Sequence, residues 1–281
     1  MVYKTFLFIV SARNDTFIFA SKHAVHSMKT AIIIGATSGI GRQLAISLLE
    51  DGWRVGIAGR REYKLMEMKD FYGEDVVVIE QLDITQDTAT SRLDTLLDKT
   101  GSPDLFLHVA GIGGDESSLD EERELEIVRT HCEGMVRVVT HFMGYVKNSS
   151  AYTPGNKACI GVITSVAGTR GMGVSPAYSA SKKMQSTYIA ALSQYARMHK
   201  IPVTFSDIRP GFVATDILLP GTPQLFVMPV NVAATHILKG LERRKRVIVF
   251  DWRYRVIAFI WKIIPRGLWE RITFVKNSRT A

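Results

Sequence analysis

Ile32, Ile33 and Ile34 run directly into Gly35-Ala36-Thr37-Ser38-Gly39-Ile40-Gly41, and apolar residues then recur at helical spacing from Ile40 to Leu49. A strand, a glycine-rich turn and a helix start, in that order, leave few folds open. Glycines let the backbone come close to a bound anion, and the unpaired N–H groups and positive dipole end of the helix favour its charge. Thr37 and Ser38 add hydroxyl donors. In this setting the pattern reads as a cradle for the pyrophosphate of a dinucleotide.

The same alternation continues along the chain. Short β-branched runs at Ala31–Ile34, Arg54–Ala58, Val76–Ile79, Leu105–Val109, Ile160–Thr164, Val203–Ile208 and Val247–Phe250 are separated by helical periodicity at Ile40–Leu49, Glu62–Phe71, Thr88–Lys99, Leu125–Val146, Ala177–Met198 and Val230–Arg243. The strand runs are apolar throughout, which suits a sheet covered on both faces. Strand–helix alternation predicts an α/β fold with a doubly wound parallel sheet. The 281 residues carry no linker-like run, so one domain over 28–250 is expected, with extensions at 1–27 and 251–281. Residues 1–27 have two short apolar runs broken by Arg13, Asn14 and Asp15, a poor match to a signal peptide. They read as an extension outside the native fold, with Met28 as the natural start. Cys132 and Cys159 have neither disulfide nor metal-ligand spacing, and no metal is expected. They fit a reduced, cytoplasmic setting.

The second strand ends Ala58-Gly59-Arg60-Arg61. NAD-binding sheets usually place an acid near this point for the ribose 2′-hydroxyl, whereas NADP needs a cation for its 2′-phosphate. Gly59 leaves room, and Arg60 offers a planar fork suited to phosphate, with Arg61 beside it. The cofactor expected is therefore NADP(H).

Tyr178-Ser179-Ala180-Ser181-Lys182 opens a helical stretch, and residues four apart share a helix face. A nearby ammonium favours tyrosinate and lowers the phenol's pKa, so the pair can pass a proton to a forming alkoxide or take one from an alcohol. Ser165, at the end of an apolar run, can hold a carbonyl and stabilise developing charge.

With these motifs in place, the chain resembles the short-chain dehydrogenase/reductase family over roughly residues 29–250. Gly35-x-x-x-Gly39-x-Gly41 resembles the cofactor loop, Asp83-Ile84 the adenine-binding pair and Ala110-Gly111 the end of the fourth-strand motif. Ser165, Tyr178 and Lys182 resemble the catalytic trio. Pro210-Gly211, with Val213 and Thr215 beyond, resembles the segment packed on the nicotinamide. The resemblance implies a Rossmann fold and hydride transfer between a nicotinamide and a carbonyl carbon, with Tyr178 as acid or base and Lys182 also binding the ribose. Three positions depart from the pattern: Ile34 replaces a threonine, His108-Val109-Ala110-Gly111 replaces Asn-Asn-Ala-Gly, and His131-Cys132-Glu133-Gly134 replaces Asn-x-x-Gly. The asparagine of that last motif is the fourth catalytic residue. His131 either substitutes for it as a proton relay or is a helix residue without catalytic role. The stretch 147–157 reads as an insertion.

After Pro210-Gly211 the chain is apolar, with Leu218, Leu219, Leu225, Phe226 and Met228, and Gly221 as a hinge. It predicts an apolar, lipid-like or steroid-like carbonyl or alcohol substrate, or else a core or dimer contact. Residues 241–281 hold eleven Lys/Arg against three acids, which is the whole chain's excess of +8. Trp252, Trp261 and Trp269 alternate there with aliphatic and basic residues. Two readings stand: a helix that closes the cleft or builds a dimer, or a peripheral membrane contact at the membrane surface. The interspersed apolar residues disfavour nucleic acid. A homo-oligomer, dimer or tetramer, is expected.

Overall fold

The computed structural model describes residues 28–113, 119–216 and 226–272. The extension 1–27, the leucines at 218, 219 and 225, and Gly221 lie outside them. Seven strands, β1 (Thr30–Ile34), β2 (Arg54–Gly59), β3 (Val77–Gln81), β4 (Leu105–His108), β5 (Ala158–Ile163), β6 (Val203–Ile208) and β7 (Val247–Ile248), form one sheet in the order β3-β2-β1-β4-β5-β6-β7. Every pairing is parallel. β5 is buried at all six positions, as its unbroken apolar run requires of a strand covered on both faces.

Helices close both faces. On one, α1 (Gly39–Glu50), α2 (Glu62–Tyr72) and α7 (Val230–Glu242) pack Leu44, Leu65 and Ile237 against Ile33 and Leu107. On the other, α3 (Ala89–Thr100), α5 (Gly134–Asn148) and α6 (Pro176–Met198) pack Leu93, Val138 and Ile189 against Ile34, Phe106 and Val162. Phe106 and Phe142 stack there at 4.3 Å between ring centroids. Strand order reverses between β1 and β4, so the carboxyl ends of these two strands open a crevice where such sheets take ligands.

Three departures from the periodicity matter for the site. The helix expected over Leu125–Val146 begins earlier, at α4 (Glu121–Val128), because Asp120 accepts the Arg123 N–H at 3.0 Å as an N-cap and glutamates fill the first turn. It is then interrupted by a π turn, Arg129–Glu133, before α5. The chain leaves β7 after two residues because Asp251 caps a new helix, α8 (Trp252–Ile263), which Pro265 separates from a short α9 (Arg266–Trp269). The insertion-like stretch forms the link from α5 to β5, anchored by the Tyr152 hydroxyl donating to the Pro103 carbonyl at 3.0 Å.

Candidate active site

The glycine turn is tight for steric reasons. Gly35 (φ +97°) lies against β4, where a Cβ would stand 2.5 Å from the Ala110 nitrogen. A Cβ on Gly41 would stand 2.0 Å from the Gly35 carbonyl oxygen, so α1 packs into the turn only with glycine there. Gly39 takes φ +53° beneath the Thr215 methyl. The Ala58 carbonyl holds the turn by accepting from Gly35 and Ala36 N–H. Ser38 stands at the N-cap of α1 with no side-chain cap bond, and it lines the crevice with Thr37, Ile40 and the glycines. Such a cradle fits a pyrophosphate. Gly41→Ala is expected to cost about 1–3 kcal/mol of stability and to weaken dinucleotide binding. Thermal melting and titration with the nucleotide will check both, and an unchanged affinity would argue against the cradle.

Next to it, a Cβ on Gly59 would meet the Thr37 methyl at 2.6 Å, which excludes an acidic side chain at the end of β2. The guanidinium that turns over the loop belongs to Arg61: Nη2 donates to Thr37 Oγ1 at 2.9 Å and to Ser38 Oγ at 2.6 Å. The sequence reading gave the lead to Arg60. It lines the same crevice, but its bond in this region is through its carbonyl, which accepts from Gln81. Further along, Asp83 accepts from Thr85, and Ile84 packs under Gly134, where a Cβ would come within 2.6 Å.

At the other end of the crevice, Ser165 leaves β5 and accepts the Ala167 N–H at 3.1 Å, starting a 3-10 turn over Val166–Thr169. Tyr178 is the third residue of α6 and Lys182 lies one turn on. Ser165, Tyr178 and Lys182 line the same crevice. Lys182 Nζ is buried and donates to the Ile163 carbonyl at 3.0 Å. Burial pushes its pKa down to about 7, with Cys132 and Asp207 acting the other way. The electrostatics of Tyr178 differ from the expected lowering. Burial raises the phenol above its ordinary value, and the Ser165 hydroxyl, which acts downward, is the smaller effect. Desolvating an anion costs more here than that hydroxyl returns, so the phenol holds its proton at neutral pH.

His131 lies in the π turn with no exposed surface, edge-on to Tyr178 at 5.4 Å. Its Nε2 accepts the Ile112 N–H at 3.0 Å. A backbone N–H can only donate, so the ring proton sits on Nδ1 and is given to Ser181 Oγ at 2.9 Å. Ser181 Oγ donates in turn to the Tyr178 carbonyl at 2.9 Å. Burial, Lys182 and His108 hold the ring well below the ordinary imidazole range. Both ring nitrogens are thus engaged, and the side chain ties the π turn to the first turn of α6. Behind it, Gln185 Nε2 donates to the His131 carbonyl at 2.8 Å. His108, at the end of β4, is buried with neither ring nitrogen partnered.

Pro210, Gly211, Val213 and Thr215 follow β6 along the crevice. Val213 pairs with Met228, and Phe226 meets Tyr254 edge-on at 6.4 Å. A Cβ on Gly211 would fall 2.1 Å from the Tyr254 ring, so α8 sits directly on this segment. Arg170, just beyond the 3-10 turn, donates to the carbonyls of Trp261 (2.8 Å), Lys262 (2.9 Å) and Ile264. Trp269 Nε1 donates to the Gly171 carbonyl at 2.7 Å. The first helix of the tail thus forms one wall of the crevice, through Tyr254 and Trp261. Sequence reasoning missed Arg61's lead, Ser181, Gln185, Tyr254 and Arg170. Glycine at 211 was the one visible hint of a close neighbour there. All the candidate residues line one cavity of about 350 Å³, with Met172, Val174, Phe212, Tyr254 and Trp261 at the Tyr178 end.

The short chain dehydrogenase family model matches residues 29–223. This chain belongs to that family. An uncharacterized oxidoreductase of Myxococcus xanthus is 32% identical over 251 residues, covering 87% of this chain and 96% of that protein. A short-chain dehydrogenase/reductase from Burkholderia phymatum, solved with NAD, shares the fold at a TM-score of 0.72 and 21% identity, over 83% of this chain and 92% of its own. The 3-ketoacyl-(acyl-carrier-protein) reductase of Brucella melitensis, solved with NADH, gives 0.68 at 20% identity, over 78% and 94%. This short-chain dehydrogenase is thus an oxidoreductase with a Rossmann-like fold. Among its described residues no helix is long and apolar enough to cross a membrane.

Proposed function

We propose that this short-chain dehydrogenase interconverts an apolar ketone and its secondary alcohol with NADP(H). The observation that carries the reading is the gathering of Ser165, Tyr178 and Lys182, the last two one helical turn apart, on the wall of the crevice that also holds the glycine cradle under Arg61. The glycine turn and the α1 N-terminus would hold the pyrophosphate, Asp83 and Ile84 the adenine, and Ala110, Gly111 and Pro210–Thr215 the nicotinamide, which when bound would supply or take the hydride. Ser165 Oγ holds the substrate oxygen, and Tyr178 Oη gives it a proton on reduction or takes one on oxidation. Lys182 Nζ, poised near neutrality, replaces that proton. His131 and Ser181 hold the Tyr178 backbone in place. Met172, Val174, Phe212, Tyr254 and Trp261 surround the substrate with hydrocarbon, and among the described residues no Lys or Arg other than Lys182 lines that end to meet a carboxylate. A lipid-like or steroid-like carbonyl compound fits.

The 2′-phosphate of NADP falls to Arg61 and Arg60, since Gly59 has no room for an acid. A charge-assisted bond contributes about 1.5–3 kcal/mol, so removing Arg61 should weaken NADPH roughly 10–100-fold and leave NADH nearly unchanged, with Arg60→Ala giving the smaller loss. Isothermal titration of both nucleotides against Arg60→Ala and Arg61→Ala measures this. An unaltered NADPH/NADH ratio in both variants would discard the phosphate assignment. NADPH oxidation against ketones from steroids to long-chain 3-keto lipids tests the reaction itself. Tight nucleotide binding without turnover on any of them would count against it.

A further inference from the structure

Helix α8 has two apolar sides, and the crevice uses only one. Tyr254 and Trp261 face the crevice, and Ile257 and Ala258 are half-buried. The opposite side is open: Trp252 is 70% exposed, Phe259 65% and Ile263 64%, with Val256 and Ile260 also exposed. At a helical repeat these five fall within one wedge of about 100°. Arg255 and Lys262 are exposed beside it, and Leu268 and Arg271 extend the same character past α9. Residues 251–281 hold seven Lys/Arg against two acids, and both acids, Asp251 and Glu270, are paired with arginines.

We propose that the outer face of α8 docks on an anionic lipid bilayer surface. A stripe of Trp, Phe and Ile with cations along its margin suits the boundary between headgroups and acyl chains. The cations select the occupant. A second copy docking by the same face would bring Arg255 and Lys262 against their own equivalents, whereas acidic phospholipid complements them. The helix is 12 residues long, about 18 Å, and lies in the surface plane without spanning it. Tyr254 and Trp261 line the crevice from the side of α8 opposite the docking face, so docking sets the helix between the bilayer and the crevice.

Co-sedimentation of the full chain with vesicles of phosphatidylcholine alone, and with phosphatidylserine added, tests docking without any turnover, so a wrong substrate reading leaves the result intact. Binding is expected only with phosphatidylserine, weakened by salt, and lowered about tenfold or more by either Phe259→Ser/Ile263→Ser or Arg255→Glu/Lys262→Glu. Both variants should keep the melting temperature and nucleotide affinity. Tryptophan emission should shift to the blue on binding, and Trp252→Phe should remove most of that shift. No binding to either vesicle overturns the proposal, as does binding that survives both double variants. Concentration-dependent dimerisation abolished by Phe259→Ser/Ile263→Ser would assign the face to a second copy instead.

Discussion

Replacing Tyr178 by phenylalanine is expected to lower turnover by about 10²–10⁴-fold while nucleotide affinity stays intact. The ring packs edge-on to His131 and its backbone is tied through Ser181, so phenylalanine fills the same space and only the hydroxyl is lost. That hydroxyl lies in the cavity that Ser165 and Lys182 also line. The cradle for the pyrophosphate is built from β1, α1 and β2 and does not involve it. The raised phenol pKa adds a sign: the proton is in place at neutral pH, so reduction of a carbonyl starts from the resting state. Single-turnover reduction beside a nucleotide titration separates the two effects. A Tyr178→Phe enzyme that still turns over would remove Tyr178 from the proton path and, with it, the observation on which the assigned chemistry rests.

Acid is expected to unfold this protein over an unusually steep range, and two histidines are the reason. His108 and His131 have no exposed surface. Burial, with Lys182 adding to it, pushes His108 from 6.5 down to about 3, and His131 is held well below its ordinary value. A depressed folded-state pKa means that the unfolded chain binds the proton first. The contribution to stability is therefore complete above pH 6.5 and is lost as pH falls toward 3. For His108 alone the loss across that window is about 5 kcal/mol, comparable with the entire stability of many domains. His131 steepens the upper part. In His108→Leu the fall in unfolding free energy between pH 7 and pH 5 should shrink by about 2 kcal/mol, whatever the substitution does to stability at pH 7. Urea unfolding at the two pH values provides the comparison, and equal falls in wild type and variant would sink the account.

The strands, their burial on both faces and the glycine cradle were legible in the chain because each is a local pattern. An unbroken apolar run, a positive-φ glycine and a Tyr-x-x-x-Lys pair within one helix need no distant partner to be read. Partners set by tertiary packing were not. Neighbouring Arg60 and Arg61 look alike in sequence. Which one turns over the loop depends on the backbone at Arg61, φ −91° and ψ 86°, as the chain leaves β2. The surroundings of His131 were hidden for a related reason. Helical spacing places the residue on the inner face, but only the π turn and the Ile112 N–H decide that its acceptor nitrogen is already taken. The tail was ambiguous because α8 is apolar on two sides, and a sequence cannot say which of them meets its own domain.

The clamp formed by Arg170 bears on how the protein is made. Its carbonyl partners lie 91, 92 and 94 residues further along the chain. During synthesis the sheet can close as β7 emerges, and the glycine cradle is complete long before that. The turn that follows Ser165 has nothing to grip until residues 261–264 have been made. A nascent chain therefore forms the wall of its nucleotide cradle before the wall that α8 adds to the crevice. A chain stopped before residue 261 would lack both the carbonyls that Arg170 grips and Trp261 on that wall.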